Sequence, residues 1–247
     1  MKHDGYAVVP ANLKKLEVVN RFFSGTGSSY DRVVTVCTCG FDRCWKKRLI
    51  EKIPAQPTCV MDQACGTGIL TFEIARRFPD CRVTGVELRD EYLDRARLKA
   101  RRWGMTNVDF ILGRAEDVIV QGGCDCIISS YLAKYAELGK LITNAGKMLR
   151  PGGLIIMHDF IYPANPVFLP LWRAYFRILR GIGSRIFPEW QTVFNELPEF
   201  LRETRWVSES LSAMKENAFS DITIESLTFG TAAIVTARKP KSSPRRT

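Results

Sequence analysis

Residues 60–68, Val-Met-Asp-Gln-Ala-Cys-Gly-Thr-Gly, constrain this chain more than any other segment. A short apolar strand ends in Asp62, the backbone turns through Gly66-Thr67-Gly68, and an apolar-periodic helix follows. Gly66 and Gly68 carry no Cβ, so the backbone can turn tightly and approach a ligand closely. The helix beyond them aims unpaired N–H groups at the same point, which suits a carboxylate or a phosphate. A second apolar strand, Arg82–Glu87, ends in an acid about 20 residues after the glycines, where it can accept both ribose hydroxyls. A glycine turn alone is only a strand–turn–helix connection. Glu87 makes it a nucleoside site at the edge of a parallel sheet.

The type of nucleoside follows from two further residues. The dinucleotide fingerprint asks for a third glycine three residues after the second, and Thr71 occupies that position. Asp62 is unusual beside a pyrophosphate but suits a cationic ligand, such as the amino group of a methionine moiety, directly or through water. S-adenosylmethionine therefore fits better than NAD.

The rest of the sequence reads as one α/β unit. After the first strand (58–62) and helix (68–78) come strand 82–87 and a helix over 90–103 with Leu93, Ala96, Ala100 and Trp103 at helical spacing, closed by Gly104. Strands follow at 108–113 and 125–130, then a helix over 136–149. Arg150-Pro151-Gly152-Gly153 turns into a fifth strand, 154–158. Strands at 222–227 and 232–236 complete the set. This alternation predicts a Rossmann-like, doubly wound, mostly parallel seven-stranded sheet with an antiparallel last strand. Residues 1–50 form an N-terminal helical cap, and residues 160–217, rich in large aromatics, form a helical lid inserted after strand five on the ligand side.

Composition narrows the class. No run of 18 apolar residues predicts a membrane span, and the N-terminus lacks the apolar core of a signal peptide, so the expected location is cytoplasmic. All eight cysteines precede residue 127 and read as free thiols. Cys37-x-Cys39 and Cys124-x-Cys126 lack the paired spacing of a zinc site, so no metal is expected. The net charge is +10, but Arg238, Lys239, Lys241, Arg245 and Arg246 supply five of those charges from the last ten residues. With its prolines and serines, 239–247 reads as a disordered basic tail. The body carries about half the excess, which weakens a nucleic-acid reading.

At this point the residues resemble class I S-adenosylmethionine-dependent methyltransferases, and within them the C-methyltransferases of menaquinone and ubiquinone biosynthesis. The segment Val60–Gly68 is the motif shared across class I. Tyr30-Asp31 with Gly40, Trp45 and Lys46 resembles the narrower family's N-terminal signature. Asp159-Phe160 with Pro163, Tyr175 and Gly181-Ile182-Gly183 resembles the segment after strand five, and Phe219 within 217–230 the closing motif. The likeness covers most of 22–238, so residues 1–238 are expected to form a single methyltransferase domain.

By position, the resemblance implies Asp62, Gly66, Thr67 and Gly68 around the methionine end of the cofactor and Glu87 on the ribose. Arg114 and Ala115 fall where the family contacts adenine, and Ser130 lies beside the sulfonium. Arg114 stands where an Asp or Asn is usual. A guanidinium cannot accept from the adenine amino group, and Glu116 or backbone is available instead. Where the quinone enzymes carry Gly-Leu-Arg-Asn after strand four, this sequence has Leu132-Ala133-Lys134-Tyr135. Lys134 keeps the arginine's charge without its bidentate fork.

The expected reaction is C-methylation of a lipid-like quinol, with Lys134, Tyr135 and Asp159 as candidates to take or stabilise the phenolic proton. C- or O-methylation of another apolar small molecule is the alternative. An RNA methyltransferase and a non-catalytic binding module are further readings. Residues 168–180 set Phe168, Leu171, Trp172, Tyr175, Phe176 and Leu179 on one helix face and Arg173, Arg177 and Arg180 on another. That face and the basic tail suit peripheral contact with an anionic membrane, at the inner face of which the enzyme would lie, while the aromatics receive a polyprenyl tail. A homodimer is the assembly considered beside a monomer.

Overall fold

The computed structural model describes residues 11–241, with backbone alone for 11–14. Three helices precede the first strand: α1 (Ala11–Phe23), α2 (Tyr30–Cys37) and α3 (Phe41–Glu51). Strand β1 (Cys59–Gln63) leads through the glycine turn into α4 (Ile69–Arg77). β2 (Arg82–Glu87), α5 (Asp90–Arg102), β3 (Val108–Leu112), β4 (Cys124–Ser130) and α6 (Leu138–Met148) follow. Gly104 ends α5 at φ 61°, and the Met105 N–H reaches back to the Ala100 carbonyl at 3.0 Å. This is the glycine-terminated helix end its sequence predicts.

β5 (Leu149–Phe160) begins before the Gly152-Gly153 turn rather than after it, because Leu149 already pairs with Cys124 and the register then shifts. The last two strands are β6 (Ser220–Leu227) and β7 (Ala232–Arg238). The seven strands form one sheet in the order β3-β2-β1-β4-β5-β7-β6. Strands β1 to β5 run parallel, and β7 runs antiparallel between β5 and β6. The doubly wound, mostly parallel sheet with its antiparallel last strand is as expected. Strand order reverses between β1 and β4, and ligands of such sheets lie beyond the strand ends at that crevice.

Apolar layers cover both sheet faces. Leu141, Ala145 and Met148 of α6 pack with Met61, Ile127 and Ile155 on one face. Trp45 and Leu49 of α3 and Leu70 and Ile74 of α4 pack with Val60, Val83 and Ile128 on the other. Burial on both sides explains why β1 and β4 read as near-continuous apolar runs rather than alternating ones.

The segment after β5 is helical, as the sequence predicts. It holds α7 (Leu169–Ile178), a π-helical turn over Leu179–Gly183, the single turn α8 (Ser184–Ile186), α9 (Gln191–Glu203) and α10 (Trp206–Glu216). The α-helix expected to run to 180 gives way at Leu-Arg-Gly-Ile-Gly, where two glycines lower helix propensity. Trp172 and Phe176 pack against Leu201, whereas Leu171 is 64% exposed. A second cluster joins Phe22 of α1 to Tyr135, Trp190 and Phe194, so the N-terminal helices and the lid share one apolar layer.

The first ten residues of the expected cap lie outside the described residues, as does the expected basic tail from 242 onward. Lys239 is fixed: its N–H donates to the Gly153 carbonyl at 2.8 Å and its ammonium to the Leu149 carbonyl at 2.6 Å. No described helix is long and apolar enough to cross a membrane.

Candidate active site

One carboxylate joins the turn after β1 to the end of β2. Oε2 of Glu87 accepts from the Gly66 N–H at 2.9 Å, and Oε1 accepts from the Arg89 N–H at 2.8 Å. Burial pushes the Glu87 carboxyl up from its ordinary value, and these amides pull the other way. Two carboxylate oxygens offer about four acceptor sites, so capacity remains. Glu87 lines a cavity of about 880 Å³, mouth included, together with Gly66, Arg114, Ala115 and Ser130. These are five of the eight expected cofactor residues. Lys15, Leu16 and Val19 of α1 close it from above.

The other three stand behind the turn. Asp62 is 1% exposed and accepts from the Thr71 hydroxyl at 2.6 Å. Burial raises its carboxyl from 3.8 to about 7, against the pull of Thr71 and Lys46. The Thr67 hydroxyl donates to Asp31, whose carboxylate also holds the Lys99 ammonium at 2.5 Å. Gly68 takes φ 85°, and a Cβ there would lie 2.4 Å from the Phe72 ring, so both backbone and space require glycine.

The Arg114 guanidinium lies 3.7 Å from Glu116 and 3.8 Å from Asp117. Glu116 is buried, lines the same cavity and accepts from the Glu137 N–H at 3.0 Å. It offers the amino-group acceptor that Arg114 cannot. With an acid at the end of β2 and another after β3, the cavity fits an adenosine: one acid for ribose hydroxyls, one for an amino group.

A second cavity of about 1380 Å³, mouth included, opens between α2, α3, the end of β5, α7 and α9. Val33, Phe160, Trp172, Phe176 and Phe194 make its walls apolar. Phe23, Tyr30, Tyr131 and Tyr135 line both cavities. Phe23 and Tyr135 meet edge to face at 5.7 Å, and Tyr135 stacks on Phe200 at 5.3 Å.

Lys134 faces this second cavity, its ammonium 4.4 Å from the Tyr135 ring centroid and 5.5 Å from those of Tyr131 and Phe160. It pairs with Oδ1 of Asp159, which also accepts from the Phe160 N–H at 2.7 Å, while Oδ2 accepts from the Lys134 N–H at 3.1 Å. Burial lowers the lysine's pKa and raises the acid's, and their attraction opposes both shifts. Asp159 is fully enclosed and lines neither cavity. Next to it, His158 Nδ1 lies 2.9 Å from the Ser130 hydroxyl, and burial holds its imidazole well below the ordinary range, hence neutral.

Tyr131, Phe23 and Asp42 belong to no sequence motif, and Tyr30 and Lys46 stand out in the sequence only as parts of the N-terminal signature. Among the described residues no three His, Cys, Asp or Glu side chains are grouped to hold a metal.

A sheet of this order, with a glycine turn after β1 and an acid closing β2, defines a class I S-adenosylmethionine-dependent methyltransferase. Geranyl diphosphate C-methyltransferase from Streptomyces coelicolor, solved with Mg2+, geranyl diphosphate and S-adenosyl-L-homocysteine, shares the fold. Its TM-score is 0.59 at 16% identity, over 80% of this protein and 79% of that one. Phosphoethanolamine N-methyltransferase 2 of Haemonchus contortus matches with a TM-score of 0.60 at 12% identity, over 80% of this protein and 52% of that one.

The chain belongs to the ubiE/COQ5 methyltransferase family, which it matches over residues 11–239, and its cofactor is S-adenosyl-L-methionine. The demethylmenaquinone methyltransferase of Thermus thermophilus is 29% identical over 222 residues, 88% of this protein and 100% of that one. That of Staphylococcus aureus is 23% identical over 238 residues, 95% of this protein and 98% of that one.

Proposed function

We propose that this protein methylates a ring carbon of a reduced quinone bearing an apolar side chain, of the demethylmenaquinol or ubiquinone-precursor type. The observation that carries the reading is the apolar cavity of about 1380 Å³ that meets the cofactor cavity at Phe23, Tyr30, Tyr131 and Tyr135. It has room for a ring at that junction and for prenyl units along Phe160, Trp172 and Phe176. The names of the curated relatives support the same substrate class.

When bound, S-adenosylmethionine supplies an electrophilic methyl on a positively charged sulfur. Glu87 would hold its ribose, Glu116 and the Ala115 backbone its adenine, and the Gly66 turn its methionine end. Asp62, Thr67 and Gly68 fix that turn, and Ser130, anchored by His158, faces the reacting end. The four shared rings exclude water and hold the acceptor ring against the donor. The Lys134 ammonium, held by Asp159, stabilises negative charge developing on the acceptor oxygen, in a low-dielectric wall where one charge counts for more than in water. Tyr135 packs against that ammonium and completes the wall.

At the mouth, Phe41 and Leu171 are 44% and 64% exposed, with the arginines of α7 nearby in sequence. This rim suits peripheral contact with an anionic bilayer, from which a prenyl quinol could enter without crossing water.

Purified protein given S-adenosylmethionine and a short-prenyl demethylnaphthoquinol, kept reduced with dithionite, is expected to yield a ring-methylated product one methylene heavier by mass spectrometry. Methylation of other apolar phenols with none of any quinol would overturn the acceptor assignment.

A further inference from the structure

Tyr131 follows the last residue of β4 and takes φ 67°, a left-handed conformation in which a bulky side chain is an outlier. Its ring stacks on Phe160 at 4.8 Å and 18°. Its hydroxyl donates to Oδ1 of Asp42 at 2.7 Å, and the Lys46 ammonium donates to the same oxygen. Asp42 and Lys46 sit one turn apart on one face of α3 and are 5% and 4% exposed. Lys46, Asp42 and Tyr131 thus form a fixed hydrogen-bonded relay ending at the junction of the two cavities. Because the Tyr131 proton is committed to Asp42, the phenolic oxygen keeps its lone pairs for another donor. The ammonium groups of Lys46 and Lys134 lie 5.1 and 5.5 Å from the ring centroid, so negative charge formed beside it meets two cations.

We propose that Tyr131 receives the hydroxyl proton of the acceptor as the methyl arrives, with Asp42 and Lys46 as its positioning residues. This rests on the acceptor being a hydroxyl-bearing aromatic, as proposed above. The acceptor O–H bond breaks, its proton goes to the Tyr131 oxygen, and the proton Tyr131 already carried passes to Asp42. The electron pair left on the acceptor oxygen flows into the ring and makes the neighbouring carbon nucleophilic for the new C–C bond, while the donor's S–CH3 bond would break and leave its electron pair on sulfur. The methylated ring regains aromaticity when the junction reopens to solvent and its C–H proton passes to a water molecule. The relay then returns its proton to the acceptor oxygen, so one proton is released per methyl transferred.

The other titratable groups nearby, Asp159 and His158, line neither cavity. Both oxygens of Asp159 accept from Lys134, and Oδ1 also accepts from the Phe160 amide. His158 meets Ser130 through Nδ1, and its Nε2, which has no partner among the described residues, is fully buried away from both cavities. Burial and the Asp42 carboxylate push the Tyr131 hydroxyl well above its ordinary pKa, so it acts as a relay that is never a standing phenolate.

The test compares 2-naphthol with 2-methoxynaphthalene, bound by the full-length protein in the presence of S-adenosylhomocysteine and followed by calorimetry. The wild-type protein should bind the hydroxyl compound about ten-fold more tightly, the worth of one good hydrogen bond. Tyr131→Phe should bring that ratio near unity while changing S-adenosylhomocysteine affinity by less than about two-fold, whereas Asp42→Asn, whose amide oxygen still accepts from Tyr131 but cannot take its proton, should keep the ratio and lower kcat. With the quinol, Tyr131→Phe should lower kcat by about 100-fold with little change in KM, the range of general acid–base catalysis. Asp42→Glu should restore part of what Asp42→Asn loses.

A ratio and a kcat unchanged in a folded Tyr131→Phe variant would overturn the proposal. Should that variant fail to fold, an unchanged kcat in Asp42→Asn would overturn it equally. A wild-type protein that methylates no quinol yet keeps a Tyr131-dependent ratio would support the proton relay and overturn the quinol. Quinol turnover indifferent to Tyr131 would do the reverse.

Discussion

The Gly66 amide donates to the Glu87 carboxylate at 2.9 Å, so the acid that closes β2 also supports the turn after β1. Glu87→Ala should therefore remove the proposed ribose acceptor and loosen the turn together. The expected loss is about 1.5–3 kcal/mol of cofactor binding, the range for a hydrogen bond to a charged group. Calorimetric titration with S-adenosylhomocysteine measures it. Glu87→Gln should lose less, because its carbonyl oxygen can still accept from Gly66.

Asp62 makes stability depend on pH. Its folded-state carboxyl is raised to about 7, above the ordinary 3.8, mainly by burial. Between those values the unfolded protein has released a proton that the folded protein keeps, so stability falls as pH rises through the window. Asp62→Asn keeps an oxygen to accept from Thr71 and removes the titration. Urea melts at about pH 4, 6 and 8 should show the variant gaining on the wild-type protein as pH rises. A difference constant with pH would refute the assignment.

The Lys134–Asp159 pair separates stability from activity. Asp159→Ala leaves a buried ammonium without its partner and should destabilise the fold by about 3–5 kcal/mol. The double variant Lys134→Met with Asp159→Leu should recover most of that loss, since well-packed apolar residues often replace a buried pair at little cost. It should nevertheless lose most of its activity, because Lys46 is then left alone to answer charge at the acceptor oxygen. Chemical denaturation and a methyl-transfer assay on the same preparations distinguish the two roles.

The length of the acceptor's tail is tested at Leu197, which lines the apolar cavity from α9. Leu197→Trp should fill the far part of that space and raise KM more for long-prenyl than for short-prenyl quinols. Each buried methylene carries about 0.8 kcal/mol, so displacing two of them is felt clearly. Cofactor affinity should stay unchanged.

The residues legible in the sequence are those whose roles depend on local order. The glycines after β1, the acid at the end of β2 and the sheet's alternation are each set within a few tens of residues. The phase of the turn is less visible. Thr67 is expected on the methionine moiety, but its hydroxyl is turned toward Asp31 and Lys99. Lys134 and Asp159 each stand out in the sequence, yet only the adjacency of β4 and β5 reveals that one holds the other. Tyr131 and Asp42 are 89 positions apart and meet because α3 packs over the ends of these strands. Tyr131 also takes a backbone conformation that its side chain disfavours, which no propensity rule anticipates.

Four rings serve as a common wall to both cavities, and two of them, Phe23 and Tyr30, come from helices that precede the first strand. A ligand in either space packs against rings that also bound the other. Any coupling between donor and acceptor through this wall must be reciprocal: whatever factor the spent cofactor adds to acceptor binding, the acceptor adds to the cofactor. The N-terminal helices thus supply half of the partition between the two cavities, where the sheet by itself would present only one edge.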